Sequence, residues 1–290
     1  MRPGDRRMTW RTGSITPTLI DFFPTMPHAL DVLRAGRILL ILASLILAGN
    51  ALADSLNVVS SGGFAAAYKR LVMLYEMDSG QRVHSEWGAS MGKTANAIPA
   101  RLARHEPVDV VIMVGVALDK LMATGQLAQG TKVVLADSRI ACAVPQGAAQ
   151  PDIRTVEGLK QALLAANSVA WSDSASGEYI ENEMLKKLGI ADAIRTKGRK
   201  IPGTPVGEVV AKREADFGCQ QRSELLPVAG IHIVGDLPDE VQFISEFSGA
   251  VVAGSPRQEE ARRFLDFLAA PKNAGAIRDT GLIPRAGARR

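Results

Sequence analysis

The chain has 290 residues, of which 47% are hydrophobic and 22% are charged, a composition that suits a folded core and excludes wholesale disorder. Aromatic residues make up only 5%, which argues against a surface that stacks bases or sugar rings. The formal charge is +4, but residues 1–53 hold six Arg and three acidic residues, which leaves 28 basic and 27 acidic residues in the rest. That near-neutral remainder excludes nucleic acid as a partner on grounds of charge.

The N-terminal segment, residues 1–53, has the order of an export signal. Two Arg residues precede the apolar run 38–48, and a small-x-small motif follows at 51–53. The run is shorter than the ~20 apolar residues that a membrane span needs. We therefore predict cleavage near Ala53, a periplasmic location and a mature form that is not embedded in the membrane, the alternative being an uncleaved anchor. Met26 would give the signal a conventional start, so the translation start stays open.

Strand and helix signals alternate along the first half of the remaining chain. Short runs of apolar residues predict strands, and apolar residues at helical spacing predict the segments between them as helices. In chain order we predict strand 56–60, helix 64–77, strand 83–86, helix 94–104, strand 109–114, helix 117–124, strand 132–136 and strand 140–145.

The second half continues the alternation, with capping residues that mark several helix ends. In chain order we predict a helix capped by Thr155 and running to 166, strand 168–172, helix 179–188 ended by Gly189, a helix opened by Thr204 and Pro205, strands 216–220 and 231–234, an extended stretch 241–252 and helix 257–269. Alternating elements with continuous apolar strands predict the α/β class, with parallel sheets covered on both faces.

Four predicted strand-to-helix turns are rich in Gly and in small hydroxyl residues. Such turns leave backbone N–H groups unobstructed, and free N–H groups at a helix N-terminus attract anions. In open α/β sheets, ligands also bind beyond the carboxyl ends of the strands. We therefore predict an anion-binding cleft, the alternative for any single turn being ordinary helix capping. The four turns are 60–63, 89–94, 172–177 and 203–207.

Motifs for other chemistry are missing from the sequence. It has no GxxxxGK[ST] phosphate loop, no GxSxG nucleophile elbow and no Cys/His cluster with zinc spacing, so we predict no cofactor and no metal. Cys142 and Cys219 both lie in apolar, strand-like runs. Export would permit a disulfide, but burial in these runs favours two separate buried thiols.

The order of several segments resembles the bacterial periplasmic molybdate-binding proteins, which are type II solute-binding proteins of ATP-driven importers. The segments are LNVVSSGGFAAAYKRL, HEPVDVVIMV, SDSASGEYIENEMLKKLGI, PVGEVVAKREADFGCQQ and FLDFLAAPKNAGAIRDTGLIP. The resemblance implies a two-lobed α/β fold with two crossing hinge strands, near Ser138 and Glu246, and an ABC importer permease as a partner. It places lobe one at 54–138 plus 247–290 and lobe two at 139–246.

The resemblance also implies an anion site of hydroxyls and backbone N–H groups. The family's serines fall on Gly63 and near Ser90, and its ligand tyrosine falls about at Gln221. Because Gly63 and Gln221 depart from the pattern, we expect a carboxylate rather than molybdate, held in part by Lys93 and Arg222. The predicted ligand-binding residues are Ser60, Ser61, Gly62, Gly63, Ser90, Met91, Gly92, Lys93, Ser174, Ala175, Ser176, Gly177, Thr204, Gln220 and Gln221.

A second resemblance connects the stretches SSGGFAAAYK, SMGK, SDSASG and SELLPV to a branch of this family that includes aconitate isomerase. That activity needs one or two groups that take and return a proton at carbon. The candidates are Glu208, Asp173, Tyr179 and Lys93, and the sequence does not choose among them.

Three functions stand as hypotheses. The first is an exported binding protein for a small multivalent anion, such as the di- or tricarboxylate class that includes aconitate. The alternative is an isomerase that interconverts trans- and cis-aconitate by allylic proton transfer. A molybdate or tungstate receptor ranks third.

Overall fold

The computed structural model describes residues 55–285, so the predicted export signal and the cleavage site near Ala53 lie outside the described residues. None of the helices in that range combines the length and the apolar character of a membrane span.

Strands and helices alternate through most of the described chain. The strands are β1 (Leu56–Ser60), β2 (Val83–Trp87), β3 (Val110–Val114), β4 (Val133–Ser138), β5 (Ile140–Pro145), β6 (Val169–Ser172), β7 (Gly198–Ile201), β8 (Phe217–Gln221), β9 (Ile231–Asp236), β10 (Ser245–Val251) and β11 (Ile283–Pro284). The α-helices of four or more residues are α1 (Gly62–Ser79), α2 (Ile98–Ala103), α3 (Gly115–Ala123), α4 (Val156–Ala165), α5 (Ala175–Tyr179), α6 (Ala191–Ile194), α7 (Val206–Ala211), α8 (Arg222–Leu225), α9 (Gln258–Leu268) and α10 (Ala274–Arg278).

The first lobe is built on a six-stranded sheet of order β11-β4-β10-β3-β1-β2. Its central strand β3 reads VVIMV and is buried along its whole length, as a strand covered on both faces must be. On one face, α1 and α9 pack Tyr68 and Phe264 edge to face, with ring centroids 6.2 Å apart. On the other face, α3 buries Leu118 in the cluster that contains Met113 of β3. The carboxyl ends of β1 and β3 are thereby held side by side.

The second lobe is built on a five-stranded sheet of order β7-β6-β8-β5-β9. Its larger core cluster contains Trp171, Phe217 and Met184. Beyond α5 the helix widens into a π-helical segment, Ile180–Met184, and π-helical turns are frequent at functional sites. The strand β8 lies between β6 and β5, so its carboxyl end reaches the middle of the sheet edge.

The chain crosses between the two lobes through short extended segments. One residue, Arg139, separates β4 of the first sheet from β5 of the second. The return crossing runs from β9 to β10. Strands of the first sheet therefore come from two separate parts of the chain, and strands of the second come from the part between them. The precise lobe limits proposed from the sequence remain a prediction.

The prediction of parallel sheets is right only in part, because both sheets are mixed. The pairs β1–β2, β1–β3, β6–β7 and β6–β8 are parallel, whereas β10 is antiparallel to β3 and β4, and β5 is antiparallel to β8 and β9. Of the antiparallel strands, β5 and β10 enter each lobe directly from the other one, and the short β11, which is antiparallel to β4, lies near the end of the described residues. A direct crossing has no helix to reverse the chain, so the strand that it delivers does not join a parallel unit.

The prediction of two separate thiols is also wrong. Cys142 and Cys219 form a disulfide, with Cα atoms 4.1 Å apart. The two residues are direct partners in the antiparallel pair β5–β8, where opposed side chains on one face lie close together. The sequence shows two apolar runs but does not show that they pair in this register.

Two helix predictions also need correction. The segment predicted as helix 94–104 is helical only in α2, Ile98–Ala103, and residues 88–97 form an irregular loop. The helix predicted to begin at Tyr179 begins four residues earlier, at Ala175. The earlier start of α5 brings its first residues to the wall of the cleft described below.

Candidate functional site

A cleft of ≈ 200 Å³ lies where the carboxyl ends of strands from both sheets meet. This size is below the range of roughly 300–1,000 Å³ that is typical of sites for drug-sized ligands, so it suits a small metabolite. The first lobe contributes Ser61, Gly62, Gly63, Trp87, Gly88, Ala89, Ser90, Asn96, Val114 and Phe247; the second contributes Ser172, Asp173, Ser174, Ala175, Ser176, Gly203, Thr204, Pro205, Gln220, Gln221 and Glu224.

The N-terminus of α1 forms one wall of the cleft. Ser61 is the N-cap residue, and its backbone N–H donates to the carbonyl oxygen of Ile112 at 2.8 Å. The Ser61 hydroxyl is buried and has no hydrogen-bond partner among the described residues. The N–H groups of Gly62 and Gly63 open the helix and have no intrahelical acceptor. Hydroxyl and N–H donors therefore converge here on the cleft, as an anion requires.

Two neighbours explain why this turn carries glycines. A Cβ atom on Gly63 would lie 2.1 Å from the ring of Phe247, and a Cβ atom on Gly62 would lie 2.3 Å from Oε1 of Glu224. A side chain at position 63 would collide with the Phe247 ring, and one at position 62 would displace the end of the Glu224 side chain. The serine that the molybdate-binding pattern has at position 63 is thus incompatible with Phe247 in the place where it lies here.

Ser90 supplies a second donor from the first lobe. It is fully buried, and its hydroxyl oxygen accepts a hydrogen bond from the backbone N–H of Val114 at 3.0 Å. Because the oxygen is the acceptor in that bond, the hydroxyl hydrogen stays available for a ligand.

The second lobe presents the N-terminus of α5 to the cleft. Ser172 and Ser176 are both buried, and their hydroxyl oxygens lie 3.2 Å apart. Gly177 lies behind this wall rather than in it, because a Cβ atom there would lie 1.7 Å from the carbonyl oxygen of Ser172. The absence of a side chain at Gly177 lets the helix start directly against the end of β6.

Gln220 and Gln221 end β8 and are both buried. The Gln220 amide oxygen accepts a hydrogen bond from the N–H of Val206 at 2.8 Å. The Gln221 amide nitrogen donates to the hydroxyl of Ser245, at the start of β10, at 2.7 Å. Gln221 therefore connects the cleft to the hinge.

Glu224 is the functional candidate that the sequence analysis missed. It belongs to α8, is partly buried and lines the cleft. Burial raises the pKa of its carboxyl from 4.5 to about 7, against the opposing effect of hydrogen bonds from the Gln220 side chain and the Gln221 backbone. One feature of the sequence could have indicated Glu224: it follows the end of a buried strand, at the same sheet edge as the Gly- and Ser-rich turns.

Three of the four predicted proton-transfer candidates lie outside the cleft lining. Tyr179 is buried in the second lobe, donates its hydroxyl hydrogen to the carbonyl oxygen of Val241 at 2.9 Å and stacks on Phe243. Glu208 is exposed on α7, and Lys93 is exposed in the loop before α2. The fourth candidate, Asp173, does line the cleft.

Several predicted ligand-binding residues lie next to the cleft and not in its wall. Ser60 is fully buried and donates its hydroxyl hydrogen to the carbonyl oxygen of Ser61. Met91 packs against the first lobe's core. Gly92 has a φ of 98° and lies against the second lobe, because its Cβ atom would be 3.2 Å from the carbonyl oxygen of Asp173. The remaining predicted residues line the cleft: Ser61, Gly62, Gly63, Ser90, Ser174, Ala175, Ser176, Thr204, Gln220 and Gln221.

The expected cations are not part of the cleft. Among the described lining residues, the charged side chains are the two acids Asp173 and Glu224. Arg222, which the sequence analysis assigned to the ligand, forms an ion pair with Asp236 at 2.9 Å. Within residues 55–285 no group of acidic, His or Cys side chains could hold a metal ion. An anionic ligand would therefore be held by neutral donors.

Comparison with known proteins assigns the family. A family model described as "Bacterial extracellular solute-binding protein" matches residues 56–283. The chain belongs to this family. An aconitate isomerase from Pseudomonas sp is 45% identical to this solute-binding protein over 262 residues, which cover 90% of this chain and 98% of that one.

Solved structures agree on the fold. The periplasmic molybdate-binding protein of Azotobacter vinelandii is 19% identical, covers 79% of this chain and 99% of its own, and has a TM-score of 0.64. A periplasmic thiamin-binding protein is 17% identical, covers 81% of this chain and 84% of its own, and has a TM-score of 0.62. The predicted two-lobed fold and the resemblance to molybdate-binding proteins are both confirmed.

Proposed function

We propose that this solute-binding protein is an isomerase of small polycarboxylates, with aconitate as its substrate and Glu224 as the group that moves the proton. One observation carries the proposal: Glu224 has a pKa raised to about 7 and lies in a cleft whose other described walls, apart from Asp173, are neutral. Proton transfer needs an acid–base group of this kind, whereas an anion receptor can be built from neutral donors alone.

The donors in the cleft suit a ligand with several carboxylates. The Ser61 hydroxyl with the start of α1, the Ser90 hydroxyl and the start of α5 lie on different walls, and each can satisfy carboxylate oxygens. Molybdate is compact and concentrates its charge in one place. The wall where its receptors carry a serine holds Gly63 and the Phe247 ring here. We therefore expect a carboxylate ligand rather than molybdate or tungstate.

The reaction is a balanced proton shift. A base removes a proton from the CH2 group of trans-aconitate, and the electron pair of that C–H bond spreads over the three allylic carbons next to the carboxylates. The same proton equivalent is then delivered to the other allylic carbon. The double bond moves by one position, and cis-aconitate forms without oxidation or reduction.

Glu224 fits both halves of this shift. A general acid–base group works best when its pKa lies near the working pH, because it must be ionised to accept the proton and must bind it well enough to return it. With a pKa of about 7, the Glu224 carboxyl meets both requirements near neutral pH. The isomerase that is 45% identical supports aconitate as the substrate.

The second candidate function is an exported receptor that delivers the same anion to an ABC importer permease. The observation in its favour is membership of the extracellular solute-binding family. Either function agrees with a periplasmic protein whose signal peptide is removed near Ala53, and the Cys142–Cys219 disulfide suits that oxidising compartment.

The test is to incubate the purified protein with trans-aconitate and to follow cis-aconitate by chromatography. Glu224→Gln keeps the shape of the side chain and removes its proton chemistry, so turnover should fall by about 10²–10⁴-fold. The matched control is Glu208→Gln, which makes the same change on an exposed helix outside the cleft and should keep full turnover.

Binding is measured separately through the fluorescence of Trp87, which lines the cleft and is 37% exposed. Glu224→Gln should still bind trans-aconitate. Binding of aconitate by the wild-type protein without any conversion would establish the receptor function and overturn the isomerase proposal.

A further inference from the structure

Resting on the proposed function, we infer that Ser223 is a positioning residue that holds α8 against the start of α1 and thereby places the neighbouring Glu224 in the cleft. Ser223 and Glu224 are adjacent on α8, which follows β8 of the second sheet directly. The start of α1 follows β1 of the first sheet. The contact between the two helices therefore joins the two lobes.

The helix α8 is too short to fix its own orientation. It has four residues, and a helix of about one turn has little stability of its own. Its N-cap residue, Gln221, makes no side-chain capping bond to it. The direction in which the side chains of α8 point is therefore set by the residues that pack on it.

Apolar contacts attach α8 to both lobes. Leu225 is fully buried in a cluster with Ala141 and Ala143 of β5, in the second lobe. Leu226, which follows the helix, lies against the turn before β11 of the first sheet, because a Cβ atom on Gly281 would be 2.4 Å from its Cδ1 atom. Apolar burial is not directional, so these contacts restrain α8 without fixing its rotation.

The directional contact comes from Ser223. Its hydroxyl donates to the carbonyl oxygen of Gly63 at 2.6 Å, and both residues are buried. A carbonyl oxygen has two lone pairs, so this one can accept the Ser223 hydrogen bond in addition to its bond within α1. The adjacent residues also meet, because a Cβ atom on Gly62 would lie 2.3 Å from Oε1 of Glu224. Two successive residues of α8 thus contact two successive residues of α1.

The position of this contact gives it a role in the reaction. The same turn of α1 carries the buried Ser61 hydroxyl and the free N–H groups that would hold a substrate carboxylate. The Ser223 bond therefore fixes Glu224 relative to the turn that holds the substrate, although the acid and the turn belong to different lobes. A misplacement of about 1 Å at such a site can reduce the rate about 100-fold.

A purely structural role for Ser223 predicts a different result. Its hydroxyl would then only satisfy its own need for a partner, and its removal would lower stability without changing the chemical step. The deciding readouts are therefore the separate effects on kcat and KM, and whether these effects depend on Glu224.

The experiment measures turnover of trans-aconitate by Ser223→Ala, which removes the hydroxyl and leaves the carbonyl of Gly63 its bond within α1. We expect kcat to fall roughly 10- to 100-fold. KM should change by less than about threefold, because the donors at Ser61, Ser90 and the start of α5 are untouched.

The matched control is Ser255→Ala. Ser255 is also buried, and its hydroxyl donates to Oδ1 of Asp109 at the same distance of 2.6 Å, outside the cleft lining. This variant should lower the melting temperature at least as much as Ser223→Ala does, because it leaves a buried carboxylate with one partner fewer. Its kcat and KM should both stay within about twofold of wild type.

A double variant shows whether the serine acts through the acid. If it does, Ser223→Ala combined with Glu224→Gln should turn over at the rate of Glu224→Gln alone, within about twofold. A further loss of 10-fold or more in the double variant, or an unchanged kcat in Ser223→Ala with only the melting temperature lowered, would overturn the inference.

Carbon-13 NMR of glutamate-labelled protein, with Glu224→Gln to assign the signal, follows the placement of the acid without turnover. Burial raises the pKa of Glu224 to about 7, so release of α8 in Ser223→Ala should admit water and lower that pKa. The other charged residues on α8 and on the described cleft walls are Arg222, which is paired with Asp236, and Asp173, and both proteins contain them.

The NMR result separates the inference from the proposed function. A lowered pKa in Ser223→Ala, together with a wild-type protein that does not isomerise aconitate, would overturn the proposed function and support the inference. Turnover in the wild type, with kcat and the pKa of Glu224 both unchanged in Ser223→Ala, would overturn the inference alone.

Discussion

Replacing Glu224 with Gln should stabilise the unliganded protein at alkaline pH while it abolishes turnover. Burial raises the pKa of this carboxyl from 4.5 to about 7, so the folded state binds its proton more tightly than the unfolded state does. The free energy of unfolding of the wild-type protein therefore falls as the pH rises from about 4.5 to about 7. Below and above this range, the contribution of Glu224 to that free energy does not change with pH. Gln is neutral at every pH, so the variant does not lose this stability as the pH rises.

Raising the pKa of Glu224 from 4.5 to about 7, at about 1.4 kcal/mol per pKa unit, sets an upper limit of about 3.5 kcal/mol on this loss of stability. Glu224 keeps some contact with solvent through the cleft, which reduces the expected gain to roughly 1.5–3 kcal/mol above pH 8. At about pH 5 the difference in unfolding free energy between Glu224→Gln and wild type should be only about a quarter of its value above pH 8. For a folded region of this size, the gain corresponds to a melting temperature about 3–10 °C higher.

The assay is urea unfolding of unliganded protein at about pH 5 and pH 8.5, with the disulfide intact. Glu208→Gln, an exposed change of the same kind, should differ from wild type by less than about 0.5 kcal/mol at both pH values. Equal stability of Glu224→Gln and wild type at pH 8.5, or destabilisation there, would falsify the assignment of Glu224 as a desolvated carboxyl.

Three further predictions test individual contacts. Gly62→Ala should lower kcat about 100-fold with aconitate still bound, because the new Cβ atom would lie 2.3 Å from Oε1 of Glu224 and displace it. An unchanged kcat would contradict the close approach of Glu224 to Gly62. Lys93→Ala should change the aconitate Kd less than about twofold in a fluorescence titration, since Lys93 is exposed outside the cleft lining. A large loss of affinity would show that Lys93 does contact the ligand. Calorimetry should detect binding of trans-aconitate and not of tungstate, and tight tungstate binding would reverse the expected ligand class.

The sequence predicts the strands well because their apolar runs are continuous. β3 and β5 are buried along their whole length, and their predicted limits differ from the observed ones by at most one residue. Short elements such as β7 and α8 escape prediction, since their residues carry no apolar period of their own. Residues 94–97 fall within the predicted helix 94–104, yet they belong to the irregular loop 88–97, which forms part of the cleft wall.

The sequence predicts those parts of the candidate site that are formed by backbone turns at strand ends. The turns at Ser61, Ser90 and Ser176 each line the cleft because the carboxyl ends of adjacent strands share one edge. Charges are harder to place. Lys93 lies in the correct loop but is exposed and does not line the cleft, and nothing in its neighbours along the chain indicates this placement.

Glu224 escapes prediction for a physical reason. An acid in the first turn of a helix is usually solvated and favoured by the helix dipole. Its burial here depends on Gly62, which lies 162 positions earlier in the chain and belongs to the other lobe. Desolvation produced by such a distant contact leaves no local pattern.

The Cys142–Cys219 disulfide has a consequence for strand register. The bond closes a covalent ring across 77 positions, and β8 continues directly from Cys219 into Gln220 and Gln221. In a strand, slipping by one residue turns every side chain to the opposite face. Such a slip would exchange the directions of Gln220 and Gln221, and it would separate one glutamine from α7 and the other from Ser245. Because Cys219 is covalently joined to its partner on β5, the strand cannot slip without breaking that bond. Once the disulfide has formed, it thus fixes the register of β8 and with it the faces of the strand on which Gln220 and Gln221 lie.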